Sequence, residues 1–217
     1  MINFAVIGTN FITDRFLEAA SSVPEFCLKA VYSRTMERAQ DYARRHGAER
    51  TFDSLDDLAA CPDVDAVYVA SPNCCHAAQS IQMMKAGKHV LVEKPAASNL
   101  REFRHMKETA LEKGVILLEA MRSVFSPGFE AVRGNLRELG TIRRVSFQFC
   151  QYSRRYDKFK NGIIENAFRP EMSNGALMDI GVYCVHPLAD LFGMPERIKS
   201  SSLKLSNGFE GAGTILV

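Results

Sequence analysis

The sequence predicts an α/β chain in two parts. Residues 1–120 read as a doubly wound parallel sheet, and residues 121–217 as an α+β domain with an open, mostly antiparallel sheet. Three observations carry this prediction. Through the first half, short apolar runs alternate with amphipathic helical patterns, the order that packs a parallel sheet between two helix layers. Past about residue 125 the texture changes to an apolar/polar alternation of period two. Between them, the run His89-Val90-Leu91-Val92 passes directly into Glu93-Lys94-Pro95. That sets a charged pair at the carboxyl end of a buried strand, where open α/β sheets bind their ligands.

The elements follow in order. Asn3 to Ile7 is a strand and Phe11 to Ala20 a helix; Leu28 to Tyr32 and Met36 to His46 repeat the unit. Ala66 to Ala70 leads to a helix from Cys75 to Ala86, His89 to Val92 to one from Leu100 to Lys113, and Val115 to Leu118 is a further strand. Ala86-Gly87 and Lys113-Gly114 fall where these helices must stop. In the second part, Val145, Phe147 and Phe149 alternate with Ser146, Gln148 and Cys150, which predicts a half-buried antiparallel strand from Arg143 to Tyr152. A polar stretch from Ser153 to Asn174 precedes a helix from Ala176 to about Phe192, then strands from Ile198 to Leu205 and Thr214 to Val217. The last run has no turn or polar tail behind it, so the second domain is expected to be incomplete at its C-terminal end.

Composition narrows the function. The 27 basic and 25 acidic residues leave a net charge of +2 spread along the chain, so no electrostatic field argues for nucleic acid or a membrane surface. A strand begins at the first residues, with no charged leader and no spanning apolar run, and the expected location is the cytoplasm. The six cysteines show no C-x-x-C spacing, which suits reduced, mostly buried thiols better than disulfides or zinc. Cys74, Cys75 and His76 are successive positions on a helix and diverge by about 100° each, so no metal site is expected there.

Three groups of residues carry chemistry. Gly8-Thr9-Asn10-Phe11-Ile12-Thr13 opens the first helix of a βαβ unit, where a dinucleotide fold carries G-x-G-x-x-G. Only the first glycine is kept; Asn10 tolerates left-handed geometry and Thr13 spaces helix from strand. About 20 residues on, where an acid would hold the ribose hydroxyls of NAD, stand Ser33 and Arg34. A hydroxyl and a guanidinium suit a 2′-phosphate, so NADP is expected over NAD. On the late helix, Asp179, Tyr183 and His186 are four and seven residues apart, which places three proton-handling groups on one face.

With Ser71-Pro72-Asn73 and His76 added, these motifs resemble the Gfo/Idh/MocA oxidoreductase family along the whole chain. The similarity is to the branch of dimeric dihydrodiol dehydrogenases, pentose dehydrogenases and glucose-fructose oxidoreductase. The resemblance implies a Rossmann domain in which Gly8, Thr9, Asn10, Phe11 and Ile12 cradle the pyrophosphate and Ser33 and Arg34 bind the adenosine phosphate. Ser71, Pro72, Asn73 and His76 would line the nicotinamide half, with Glu93 and Lys94 flanking the ring. It further implies that Lys94 hydrogen-bonds the substrate oxygen, Tyr183 carries the proton and Asp179 positions substrate, with His186 the second choice as proton carrier. The expected reaction moves a hydride between the nicotinamide and a secondary hydroxyl of a sugar or cyclic diol. Family members continue with further strands of the second domain, whose sheet forms a homodimer contact, so the resemblance also implies a C-terminally truncated chain. The alternative is a catalytically silent NAD(P)-binding regulator or scaffold, or a nonfunctional fragment. Joint retention of Lys94, Asp179 and Tyr183 favours the enzyme.

Overall fold

Six parallel strands in the order β3-β2-β1-β4-β5-β6 form the heart of the first of two units, Met1–Ala120, in a computed structural model that describes residues 1–217. The strands are β1 (Ile2–Ile7), β2 (Phe26–Tyr32), β3 (Arg50–Phe52), β4 (Ala66–Val69), β5 (His89–Val92) and β6 (Leu117–Glu119). They alternate with α1 (Phe11–Ala20), α2 (Met36–His46), α3 (Leu55–Ala60), α4 (Asn73–Lys85) and α5 (Leu100–Lys113). Successive strand residues point to opposite faces, and each face is buried. Ala5, Ile7, Val67, Val69, Val90 and Val92 pack with Leu58, Met83, Met84 and Met106. Val6, Val31 and Tyr68 pack with Leu17, Ala39 and Tyr42 on the other side. Burial on both faces is why these strands read as unbroken apolar runs.

Several boundaries differ from the sequence expectation. β3 and α3 were not expected: Arg-Thr-Phe is too short to show a period, and β3 exists because its backbone pairs with Ala30 to Tyr32 of β2. β6 begins at Leu117 and ends on Glu119, whose carboxylate accepts the Ala96 amide at 2.8 Å. α4 begins at Asn73, two residues before the expected Cys75, with Pro72 just ahead of it.

The second unit, Met121–Val217, holds α6 (Pro127–Asn135), α7 (Tyr156–Lys160), α8 (Val182–Phe192) and a hairpin of β7 (Lys199–Lys204) and β8 (Glu210–Leu216). The predicted strand from Arg143 to Tyr152 is not formed: the segment is exposed and irregular. Its alternation describes side chains, whereas a strand also needs a neighbouring backbone to pair with, and the unit's one ladder joins β7 to β8. The antiparallel sheet is therefore two strands. The helix expected from Ala176 is also interrupted, since Leu177–Gly181 form a π-helical turn before α8 begins. No helix in the chain is long and apolar enough to cross a membrane.

Candidate functional site

In the first unit, the connections after β1, β2, β4 and β5 all lie at the carboxyl ends of a parallel sheet. Chain order reverses between β1 and β4, the position where such sheets open a ligand crevice. Gly8, directly after β1, has φ +111°, and a Cβ there would stand 2.4 Å from the Ala70 carbonyl oxygen. Only glycine lets the β1 and β4 loops approach this closely. Asn10 does not use the left-handed geometry it tolerates: it is extended, φ −108°, and works as a cap. Its Oδ1 accepts the Ile12 amide at 2.9 Å while Nδ2 donates to the Ala70 carbonyl at 2.8 Å, tying both loops to the start of α1. Thr13 is fully buried, and its hydroxyl donates to the Gly8 carbonyl at 3.0 Å. A hydrogen bond thus stands where the glycine fingerprint has bare contact. Thr9 and Phe11 flank the turn, Phe11 largely exposed.

After β2, Ser33 is buried with its amide bonded to the Phe52 carbonyl, and Arg34 is exposed. Arg38 on α2 was absent from the sequence candidates. Its Nε donates to the Thr9 hydroxyl at 2.7 Å and its Nη2 to the Thr9 carbonyl at 3.3 Å, so a second guanidinium lies on the turn that follows β1. The four-residue spacing from Arg34 was the available signal.

The Ser71 hydroxyl bonds the Gln79 side chain at 2.6 Å, which fixes the start of α4 beside Pro72 and Asn73. His76 does not face outward into the crevice. It is 1% exposed, with Nδ1 2.9 Å from the Pro95 carbonyl and Nε2 2.8 Å from the Ser71 carbonyl. It holds the loop of Ser71 against the loop of Lys94, a role that its neighbours in sequence did not reveal. Glu93 accepts the buried Tyr68 hydroxyl at 2.6 Å and the Lys94 amide at 3.2 Å. Burial, together with the Glu93 carboxylate, pushes the Tyr68 phenol well above its ordinary value, so Tyr68 remains a proton donor to Glu93. The Lys94-Pro95 peptide is cis.

The cysteines are not mostly buried as expected, since only Cys61 is buried while Cys74 and Cys150 are exposed on a helix start and an irregular segment; the Cys74 and Cys75 sulfurs, expected to diverge, lie 3.8 Å apart. Burial and the neighbouring thiol raise the Cys75 pKa, and Arg34 partly offsets this. A raised thiol is a weak nucleophile at neutral pH. No group of three or more His, Cys, Asp or Glu side chains is arranged to hold a metal ion.

In the second unit, Asp179 lies in the π-helical turn, and Tyr183 and His186 lie in α8. The wider turn shifts the rotation between Asp179 and the two α8 residues from that of regular helical spacing. The Tyr183 ring stacks on Phe149 with centroids 5.7 Å apart and planes 23° from parallel. Phe149 thus meets the helix from an irregular segment rather than from a strand. The buried Nδ1 of His186 has no hydrogen-bond partner, and Pro187 follows it inside the helix.

A family profile described as oxidoreductase family, NAD-binding Rossmann fold (Gfo/Idh/MocA), matches residues 2–121. Scyllo-inositol 2-dehydrogenase (NADP(+)) IolU of Bacillus subtilis is 50% identical over 217 residues, covering all of this chain and 66% of that protein. Human trans-1,2-dihydrobenzene-1,2-diol dehydrogenase is 30% identical over 223 residues, covering 100% of this chain and 64% of that one. Among solved structures, KijD10, a 3-ketoreductase from Actinomadura kijaniata in complex with NADP and TDP-benzene, superposes with a TM-score of 0.81 at 27% identity, over 99% of this chain and 65% of that chain. The chain therefore spans about two-thirds of the length of these relatives.

Proposed function

Because the chain belongs to the Gfo/Idh/MocA oxidoreductases, with their NAD-binding Rossmann fold, we propose that it serves an NADP-dependent dehydrogenase acting on a secondary hydroxyl of a cyclic polyol or diol. The observation that carries the cofactor part is the β1/β4 crevice. Gly8 leaves no side chain between the loops, and α1 begins at Phe11 directly behind them with Asn10 as its cap, a helix N-terminus that suits a pyrophosphate. Arg34 and Arg38, with no acid among Ser33, Arg34 and Thr35, favour a 2′-phosphate over bare ribose hydroxyls. The inositol and dihydrodiol relatives, the former an NADP(+) enzyme by name, support the substrate class.

In this reading Gly8, Thr9, Asn10, Phe11 and Ile12 hold the pyrophosphate. Ser33, Arg34 and Arg38 hold the adenosine phosphate, and Ser71, Pro72, Asn73, Glu93 and Lys94 border the nicotinamide, with His76 bracing two of their loops. The bound cofactor supplies a hydride acceptor. Lys94 stabilises the oxygen that becomes negative as the hydroxyl is oxidised, Tyr183 takes its proton, Asp179 orients the substrate, and His186 stands second to Tyr183. The protein's part is aim and charge.

The test is turnover with NADP over a panel of inositols, pentoses and cyclic diols. Lys94→Met should abolish turnover while leaving NADPH affinity within about twofold, because the amine acts on the reacting oxygen and not on the pyrophosphate. Tyr183→Phe should do the same. A dead His186→Ala beside an active Tyr183→Phe would transfer the proton to His186. NADPH binding without turnover on any substrate would favour the silent-scaffold alternative. The exposed apolar residues Leu203, Ile215 and Leu216 of the hairpin further support self-association through the second unit.

A further inference from the structure

Asp179 sits in a π-helical turn, and the start of that turn is held by a residue 33 positions downstream. Glu210, the first residue of β8, accepts the Leu177 amide on Oε2 at 3.0 Å. Its carboxylate fits between two glycines. A Cβ on Gly175 would lie 2.9 Å from Glu210 Oε2, and one on Gly213 would lie 2.9 Å from Oε1. Neither position accepts a side chain without displacing the carboxylate. The backbone before Glu210 is anchored as well: Phe209 is buried and stacks on Phe168 at 4.8 Å. Asn207 donates to the Phe168 carbonyl at 2.8 Å and accepts the Phe209 amide at 3.1 Å. On the other side, Asn174 donates to the Asn166 carbonyl at 2.7 Å, and Ser173 occupies a left-handed conformation, φ 59°.

Helices are usually capped by the residue that precedes them, and here no local side chain caps the π turn. A cap supplied by a distant strand does something a local cap does not. It ties the position of the turn to the hairpin, and a carboxylate suits the positive end of a helix. Asp179 is two residues beyond the capped amide and Tyr183 six, so displacement of Leu177 displaces both. π turns also recur at functional sites because they re-aim one side chain within a helix.

We infer that Glu210 is a positioning residue for the proton-transfer helix: through the Leu177 amide it sets Asp179 and Tyr183 for reaction. This rests on the reading that Tyr183 carries the proton. The test uses the full chain with Glu210→Ala, Glu210→Gln and Gly175→Ala beside Tyr183→Phe. It measures NADPH affinity, kcat and KM for an inositol, and amide hydrogen exchange by mass spectrometry. Glu210→Ala should lower kcat by about tenfold to a hundredfold, as expected for misplaced reacting groups. NADPH affinity should hold within about twofold, and exchange should rise in residues 175–183. Gly175→Ala should copy it by pushing the carboxylate away. Glu210→Gln keeps an acceptor for Leu177 and should recover most of kcat. Unchanged exchange in Glu210→Ala overturns the inference, and so does faster exchange with unaltered kcat, which would reduce Glu210 to a simple cap. A fully active Tyr183→Phe would instead bring down the proton-carrier reading, and exchange alone would then decide whether Glu210 orders the turn.

Discussion

Replacing His76 with leucine should weaken both the first unit and its affinity for NADPH. The imidazole is 1% exposed and lies within 2.9 Å of two main-chain carbonyls, those of Ser71 and Pro95. Neutral histidine donates from one ring nitrogen and the imidazolium from both, so leucine removes one or two donors from buried carbonyls. Each carbonyl left unsatisfied costs about 1 to 3 kcal/mol. Leucine is of comparable size and returns about 1 to 2 kcal/mol through apolar burial. At mid-range values the net loss is about 1.5 kcal/mol, rising to about 5 kcal/mol if both carbonyls are left unsatisfied at full cost. At a urea slope of about 2 kcal/mol/M, the mid-range loss lowers the unfolding midpoint by roughly 0.7 M and the largest by roughly 2.5 M. The slope itself should stay constant, because the surface exposed on unfolding is nearly the same. Circular dichroism across a urea series measures this, and fluorescence titration with NADPH measures the second effect, since both tethered loops border the nicotinamide in the proposed reading. His76→Gln, which keeps one donor, should fall between. A His76→Leu protein with the wild-type midpoint and wild-type NADPH affinity would refute the bracing role.

Three further outcomes are expected. NADPH should bind at least tenfold more tightly than NADH, since one charge-assisted hydrogen bond to the 2′-phosphate contributes about 1.5 to 3 kcal/mol; Arg34→Ala and Arg38→Ala should each narrow that ratio, and equal affinities in the unaltered chain would refute it. Tyr42 and Tyr68 are both pushed upward, Tyr42 by burial and its hydrogen bond to Asp14, and Tyr68 by burial beside Glu93. Their folded pKa values exceed the unfolded value of about 10, so the stability they contribute is complete below that pH and is lost as pH rises above it. In an absorbance titration of the six tyrosines, these two should ionise only as the protein unfolds, and a single step for all six near pH 10 would contradict this. Light scattering should show self-association that Ile215→Lys weakens, because Ile215 and Leu216 present apolar surface on the exposed hairpin; a monodisperse monomer at every concentration would exclude it.

The parallel core was legible from the chain because burial on both faces leaves a direct record. Val67, Val69, Val90 and Val92 are apolar for one helix layer and Val6, Val31 and Tyr68 for the other, so each strand reads as a short, unbroken run between helical periods. Gly8 and the Glu93-Lys94-Pro95 strand end were legible for a similar local reason: their positions follow from where a strand stops. Contacts between segments distant in sequence leave no such record. The three residues of β3 are a strand only through the register of β2, and Phe147 and Phe149 alternate as a strand would yet find no backbone to pair with. The bracing by His76, the support of Glu93 by Tyr68 and the reach of Arg38 to Thr9 each join residues 5 to 29 positions apart. The cap from Glu210 to Leu177 spans 33. Side-chain type states what a residue is able to donate or accept, and the packing of whole elements decides which partner it meets.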